Sequence, residues 1–191
     1  MTTARKVYVG GLIVTAIALG WLLFFALPAR YNKAPSEPAQ TAPTARGPEG
    51  RRIIKARLFY VAEDGVKLRS IERDVTYGEG TAEQARAIVL AQLGPATPPL
   101  LSAIPTGTLL RALFVTRQGE AFVDLSPEFR TEHPGGSLNE LLTVYTIVNA
   151  LTTNLPVIRS VQILVDGREI DSLAGHVDLR RPLPQSMVWV E

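Results

Sequence analysis

Three side chains near the middle of the sequence, Asp124, Ser126 and His133, have the residue types of a nucleophilic catalytic triad. Such a triad needs the serine hydroxyl on the histidine, and a histidine that is oriented by the acid. Asp124 and Ser126 lie two residues apart at the end of a predicted strand, and His133 falls in a Gly-rich loop. We favour a simpler interpretation, in which Ser126 caps a helical turn that starts at Pro127 and Asp124 helps to fix that turn. We therefore predict no catalytic residues.

Histidine and cysteine are scarce. The chain has two histidines, His133 and His176, and no cysteine. Neither histidine lies at metal-ligand spacing with carboxylates, so we predict no metal site and no cofactor. Without cysteine the chain has no disulfide, no thiol nucleophile and no lipid-modified cysteine. We interpret His176 as a surface imidazole in a terminal loop.

The loop from His133 to Gly136 is the best place for a binding site. Two glycines directly before a helix N-terminus can cradle an anion, but no P-loop lysine follows, which favours a plain loop. The exposed side of the following helix adds polar groups that face the same region. The candidate binding residues are His133, Gly135, Gly136, Asn139 and Thr143.

The positive charge is concentrated near the N-terminus. Nine of the 20 basic residues lie at or before Arg57, together with only two of the 18 acidic residues. The rest of the chain carries 11 basic and 16 acidic residues. A protein that binds nucleic acid needs a basic face on its folded domain, so we predict no nucleic-acid partner.

An uncharged apolar run from Val7 to Leu27 is long enough to span a bilayer, which takes about 20 helical residues. Arg5 and Lys6 precede it and, by the positive-inside rule, keep residues 1–6 in the cytoplasm. The run is longer than the apolar part of a signal peptide, which favours an uncleaved single-pass anchor over a cleaved leader. We therefore expect the bacterial cytoplasmic (inner) membrane as the location, with the C-terminal domain outside the cytoplasm.

Residues 28–52 contain five prolines and no apolar periodicity, as is typical of a semi-rigid spacer. From Ile53 the pattern changes to strands and helices, and we place one domain at residues 53–182 and a C-terminal tail at residues 183–191. Within the domain, the capping patterns Thr81-x-x-Gln84 and Ser137-x-x-Glu140 predict the starts of two helices.

The order of elements predicts an α+β domain. Two strands, a helix, a hairpin, a longer helix and a further strand with a short return follow one another. In the longer helix, apolar residues recur at intervals of three and four from Leu138 to Leu151. We expect a mixed or antiparallel sheet with both helices on one face, preceded by one transmembrane helix.

Several short segments, in order, resemble the GerMN domain family, found in the sporulation and germination protein GerM and in LpqB-like extracytoplasmic proteins. The resemblance spans about Ile53 to Pro182. It rests on Leu93–Pro95, Ile104–Thr108, Val123–Phe129, Gly136–Ser137, Ile147–Thr152 and Val161–Gly167.

The resemblance implies a membrane-tethered, extracytoplasmic α/β module that works in envelope complexes and is not an enzyme. This chain has one copy of the domain and uses a helix where lipoprotein members have a lipidated cysteine. The family supplies no catalytic residues to transfer.

Three functions remain open at this stage. The first is a non-enzymatic binding or scaffold module that docks to another envelope protein or associates with itself. In the predicted anchor, Ala16 and Gly20 have a spacing that lets two membrane helices pack closely. The second is a small-ligand sensor with its ligand beside residues 133–137, and the third is a cell-wall hydrolase. A deep pocket with converging titratable groups would favour the second or third.

Overall fold

Alternating apolar residues and Gly-containing turns divide the chain into short strands and amphipathic helices. The structure, a computed structural model, describes residues 52–191. Its elements in chain order are β1 (Ile53–Val61), β2 (Leu68–Thr76), α1 (Gly80–Gln92), β3 (Leu110–Val115), β4 (Glu120–Leu125), α2 (Glu128–Thr131), α3 (Ser137–Asn154), β5 (Ser160–Val165), β6 (Arg168–Glu169) and β7 (Leu183–Pro184).

The first two strands form a sheet of their own. β1 and β2 are antiparallel, from Ile53 opposite Thr76 to Val61 opposite Leu68. We expected one sheet for the whole domain, and this expectation is wrong because the outer edge of β1 meets side chains instead of a strand. The Asn154 amide exchanges two hydrogen bonds with the backbone of Arg57, at 2.7 and 2.8 Å. The Gln92 amide does the same with Phe59, both at 2.8 Å.

The remaining strands form a second, mixed sheet in the order β3-β4-β5-β6, with β7 also paired to β5. β3 and β4 are an antiparallel hairpin, whereas β4 and β5 are parallel. The parallel pair follows from the connection, since a chain that leaves β4 and returns alongside it needs a long crossover, here through α3. The mixed α+β architecture that the sequence predicts is therefore present, in two sheets.

Helix α3 packs against parts of both sheets, because it contacts β1, β5 and α1. The predicted apolar side is buried or half-buried from Leu138 to Leu151. The opposite sides are also buried, including Thr146 and Asn149. Large side chains that fill the core around the helix include Phe59, Ile88, Leu125, Ile147 and Ile163.

The predicted capping boxes do not form. The N-cap residues are Glu79 for α1 and Gly136 for α3, and neither makes a side-chain cap hydrogen bond. Gln84 instead reaches past the helix end, where its amide accepts the Gly78 N–H at 3.0 Å. The predicted N-caps, Thr81 and Ser137, lie two residues and one residue after the observed ones, so the patterns located the helix starts to within two residues, but the side chains bind elsewhere.

The end of the chain, which we assigned to a tail, packs onto the domain. β7 pairs with β5, and the Asn149 amide exchanges hydrogen bonds with the backbone of Ser186 at 2.8 and 3.1 Å. The Leu68 N–H donates to the Trp189 carbonyl at 2.7 Å, and the Glu191 N–H donates to the Leu68 carbonyl at 3.0 Å. Residues 183–191 therefore cover one end of the β2 edge.

Within residues 52–191, no helix has both the length and the apolar character needed to cross a membrane. The predicted anchor at residues 7–27, and the spacer before Arg52, lie outside the described residues. Arg52 itself places its guanidinium 4.4 Å from the centre of the Tyr77 ring.

Candidate functional site

The loop between α2 and α3 brings the candidate binding residues together. Gly135 and Gly136 have φ values of 79° and 88°, in the left-handed region that glycine adopts without steric cost. This conformation turns the chain sharply into α3. The Asn139 amide, one turn into the helix, donates to the Gly135 carbonyl at 2.9 Å and braces the turn.

His133 holds the loop against α3 through both of its ring nitrogens. The Gly135 N–H donates to Nδ1 at 3.0 Å, so Nδ1 carries no proton. The proton of the neutral ring is therefore on Nε2, which lies 3.2 Å from the Thr143 hydroxyl. Thr143 is buried and not on the exposed side of α3 as we expected, because its hydroxyl donates inward to the Ala103 carbonyl at 2.7 Å. Burial lowers the pKa of His133, which favours this neutral form.

Beside this loop lies a cleft of about 240 Å³. Leu101, whose side chain is exposed at 60%, stands at the cleft. None of the lining side chains is ionisable, so the cleft offers shape, apolar contact and a few hydrogen-bonding groups. The lining residues are Val61, Gly65, Leu101, Ser102, Ala103, Pro134, Asn139, Leu142 and Thr143.

The three residues of the hypothetical triad are engaged separately. The Asp124 carboxylate accepts the Gly167 N–H at 2.7 Å. The Ser126 hydroxyl accepts the Leu109 N–H at 2.9 Å and donates to Glu128, which lowers the pKa of Glu128. His133 is bonded within its own loop and to Thr143, and none of the three side chains is hydrogen-bonded to another.

Ser126 is not a helix cap. The N-cap of α2 is Pro127, and it has no side-chain cap hydrogen bond. The Ser126 hydroxyl instead ties the end of β4 to the residue before β3. Our interpretation of Ser126 as structural agrees with this position, but its expected partner was wrong.

Sequence reasoning missed the role of Glu140. This carboxylate is fully buried in α3 and accepts the N–H groups of Leu173 and His176 at 2.8 and 2.9 Å. The His176 Nδ1 lies 3.1 Å from the same carboxylate, so His176 is not a free surface imidazole. Burial alone would raise the pKa of Glu140, but hydrogen bonds from the backbone of residues 173–177 outweigh it and lower the pKa. Among the described residues, no three His, Cys, Asp or Glu side chains are grouped to hold a metal ion.

A larger groove of about 510 Å³ runs between the end of β2 and the outer side of α1. Its charged residues, Asp74, Glu83 and Arg86, are of both signs, and Asp74 is paired with Lys55 at 2.5 Å. The groove contains no histidine and none of the residues that the sequence singles out.

Comparison with solved structures supports the fold. A candidate lipoprotein from Clostridium perfringens matches with a TM-score of 0.50 and 23% identity, over 69% of this chain and 87% of that chain. The tandem GerMN domains of the sporulation protein GerM from Bacillus subtilis match at 16% identity and a TM-score of 0.49, over 71% of this chain and 45% of theirs. The first of those domains alone gives 18% identity and a TM-score of 0.47, over 70% and 94%.

The sequence itself matches no curated protein. It does match the family model named Germane, described as sporulation and spore germination, across residues 57–171. That match includes every element from within β1 to the residues after β6, and thus the His133 loop and its cleft. The chain belongs to the Germane family of sporulation and spore germination, and its described domain is of the GerMN type.

Proposed function

We propose that this protein is a non-enzymatic binding module of a cell-envelope complex, and that its cleft beside the His133 loop receives a side chain of a partner protein. The observation that carries the proposal is the lining of the cleft, which is mostly apolar and has no ionisable group. Apolar pockets with a few polar groups favour contact over acid–base chemistry.

The size of the cleft favours a side chain of a protein partner over a small ligand as the group that it binds. Pockets that hold drug-sized ligands usually measure about 300–1,000 Å³, whereas this one measures about 240 Å³. A single apolar side chain from a partner fits such a volume. This favours the binding module over the small-ligand sensor.

The N-terminal sequence supports a fixed position for this module. An anchor at Val7–Leu27 and a Pro-rich spacer would hold the domain outside the cytoplasmic (inner) membrane, within reach of other envelope proteins. Tethering two partners to one membrane raises their effective concentration, so that a modest contact surface is sufficient.

The hydrolase alternative needs a nucleophile next to a base. Ser126 and Asp124 are bonded to backbone groups of other loops, and His133 is bonded to Gly135 and Thr143. This arrangement favours a structural role for all three residues.

A photo-crosslinking residue at Pro134, an exposed cleft position, tests the proposal in cells that make the full chain. We expect a discrete adduct with another envelope protein. Leu101→Lys should abolish that adduct by placing a charge at the cleft. Leu90→Lys, which changes a leucine of similar exposure on α1, should leave it unchanged.

An adduct that survives Leu101→Lys would show that the cleft is not the docking site. Turnover of a cell-wall substrate by the purified protein, with loss of that activity on changing Asp124 or His133, would replace the binding module with the hydrolase.

A further inference from the structure

The domain closes most of its strand edges. Amide side chains and the Val61–Leu101 bridge cover the outer edge of β1, and β6 and β7 cover the outer edge of β5. β3 differs, because it is the last strand of its sheet and, although helix α1 lies against it, its one strand partner within residues 52–191 is β4. An edge strand whose outward backbone groups have no partner is a template for pairing with another chain.

The hydrogen-bonding pattern shows which groups of β3 are free. The Thr116 N–H donates to the Glu120 carbonyl at 2.9 Å, so Thr116 directs its backbone groups toward β4. Because backbone direction alternates along a strand, Phe114 and Ala112 also face β4, whereas Leu113 and Val115 direct their N–H and C=O groups outward. None of the hydrogen bonds seen in the described part of the chain uses those outward groups.

The side chains of β3 do not protect this edge with charge. Phe114 is exposed at 65% and lies opposite the half-buried Phe122 on the outer face of the sheet. The one charged residue of the strand, Arg111, is paired with Asp166 and lies 3.6 Å from Asp124. Natural edge strands are commonly blunted by charged side chains, by proline or by β-bulges. β3 has no proline, its one charge is paired, and its register shift lies between Leu110 and Ala112, before Leu113.

We propose that β3 pairs with β3 of a second copy of this chain, antiparallel and centred on Leu113. In this register Leu113 faces Leu113 of the second copy and exchanges both of its outward hydrogen bonds with it. Phe114 lies opposite Ala112 of the second copy, so a large exposed ring covers a small residue on each side of the two-fold axis. The pairing uses a different surface from the cleft and does not depend on the proposed function.

The charged side chains along each free strand edge decide whether that edge can pair with a second copy of itself, and in which register. Centring on Leu113 places Arg111 opposite Val115, with no like charges facing each other. Centring on Phe114 would place Arg111 opposite Arg117. By contrast, the free part of the β2 edge repels itself, because centring on Glu72 opposes two glutamates and centring on Ile71 opposes Arg69 with Arg73. Self-pairing is therefore compatible with β3 and is opposed at β2.

The absence of cysteine makes disulfide trapping a clean test. Directly opposed, hydrogen-bonded residues of antiparallel strands have Cα atoms about 5.5 Å apart, within the range of about 4.4–6.8 Å that a disulfide spans. The full-length chain carrying Leu113→Cys, reconstituted in liposomes and oxidised, should form a covalent dimer. Leu113 is half-buried, whereas Glu72 and Arg117 are exposed, so Glu72→Cys and Arg117→Cys are at least as accessible to the oxidant, yet they should not cross-link.

A second variant separates specific pairing from simple proximity in the membrane. Phe114→Lys, at a position that is already exposed, should abolish cross-linking of Leu113→Cys and leave the circular dichroism melt unchanged. Val188→Lys, on an exposed valine of the C-terminal segment, should leave cross-linking unchanged. Sedimentation of the otherwise unmodified chain in detergent should show a dimer that Phe114→Lys converts to a monomer.

Equal cross-linking at positions 113, 72 and 117 would overturn the proposal, since the dimer would then be held elsewhere, for example by the membrane segment. Cross-linking at position 113 that persists with Phe114→Lys, or a monomer for the unmodified chain throughout the concentration series, would also overturn it.

Discussion

The Ser126 hydroxyl, the Asp124 carboxylate and the Glu140 carboxylate each accept hydrogen bonds from backbone N–H groups distant in sequence. Each of these contacts joins a strand or helix to a loop, and each gives an acceptor to a loop N–H group that has no partner in a helix or sheet. At the scale of single residues, the polar side chains inside this domain therefore act mainly as substitutes for backbone pairing.

Ser126→Ala should lower the free energy of unfolding by about 1 kcal/mol, because the Leu109 N–H loses its acceptor. Ser126→Thr keeps the hydroxyl and serves as the matched control. Urea denaturation of the three proteins measures the difference. A Ser126→Ala variant as stable as the unmodified protein would show that water replaces the hydroxyl at no cost.

His133 should make stability depend on pH. Burial lowers its pKa in the folded state below the value near 6.5 that it has when unfolded. The unfolded chain then binds the proton more readily, so stability is complete above about pH 6.5 and is lost as the pH falls below it. Protonation also removes the Nδ1 acceptor of the Gly135 N–H.

His133→Asn keeps an acceptor in the loop but does not titrate. We expect the free energy of unfolding of the unmodified protein to fall more between pH 7.5 and pH 5 than that of the variant. Parallel curves for the two proteins would contradict the role assigned to His133.

Whether a side-chain contact could be predicted from the sequence depends on how far apart its two residues lie along the chain. Asn139 and Thr143 follow Gly135 and His133 by short intervals along one helix, so helical periodicity was sufficient to place them beside the loop. Glu140 and His176 are 36 residues apart. Glu140 is also the acidic residue of the predicted capping box, where the side chain would be expected to bond back to the start of the helix. No local pattern indicates that the carboxylate turns inward to meet a later loop.

At the scale of elements, the division into two sheets depends on two amide side chains. Gln92 and Asn154 end α1 and α3, and each supplies one donor and one acceptor to the outer edge of β1. A side-chain amide presents the same pair of groups as a peptide bond, so each helix end acts as a short length of neighbouring strand.

Gln92→Ala should be strongly destabilising. It leaves the N–H and C=O of Phe59 unpaired in the core, and each unpaired buried group costs about 1–3 kcal/mol. Gln185→Ala removes an exposed glutamine that bonds to Thr153 and should cost less than about 0.5 kcal/mol. Similar unfolding midpoints for the two variants would show that the amide does not close the β1 edge.

Alternating and helical periodicity predicted the type and position of most elements, because these signals are local. β7 escaped notice, since a strand of two residues that contains Pro184 and follows Pro182 has no strand pattern. Which strands share a sheet depends on contacts between distant segments, and the Gln92 and Asn154 amides appear in the sequence as ordinary helix-ending residues. One sheet was therefore the simpler but incorrect expectation.

At the scale of the whole molecule, the last nine residues complete the domain. Trp189 and Val190 pack against the core, and the backbone from Trp189 to Glu191 pairs with Leu68. A soluble fragment should accordingly run from Arg52 to Glu191, and not end at Pro182 as the sequence patterns suggested.

We expect the fragment of residues 52–191 to unfold cooperatively and a fragment that ends at Pro182 to melt at a lower temperature. The shorter fragment loses the Asn149–Ser186 bonds as well as the pairing with Leu68. Near-UV circular dichroism during heating measures both. Equal melting temperatures would show that the C-terminal segment adds no stability.

Membrane topology is tested on the full chain. A reporter that is active only in the cytoplasm, joined by a flexible linker after Glu191, should be silent if Arg5 and Lys6 orient the predicted anchor. The same reporter fused after Lys6, before the apolar run, is the control and should be active. Activity of the C-terminal fusion would reverse the proposed orientation.

The pairing of Leu68 with residues 189–191 sets a delay during synthesis. The ribosome adds about 5–20 residues per second, so β2 waits about 6–25 s after Leu68 is made before the end of its edge strand exists. Through that interval the nascent hairpin presents an unfinished strand to every neighbouring chain. The alternating charges of Glu72, Arg73 and Asp74 protect it then, since they oppose pairing of two such strands.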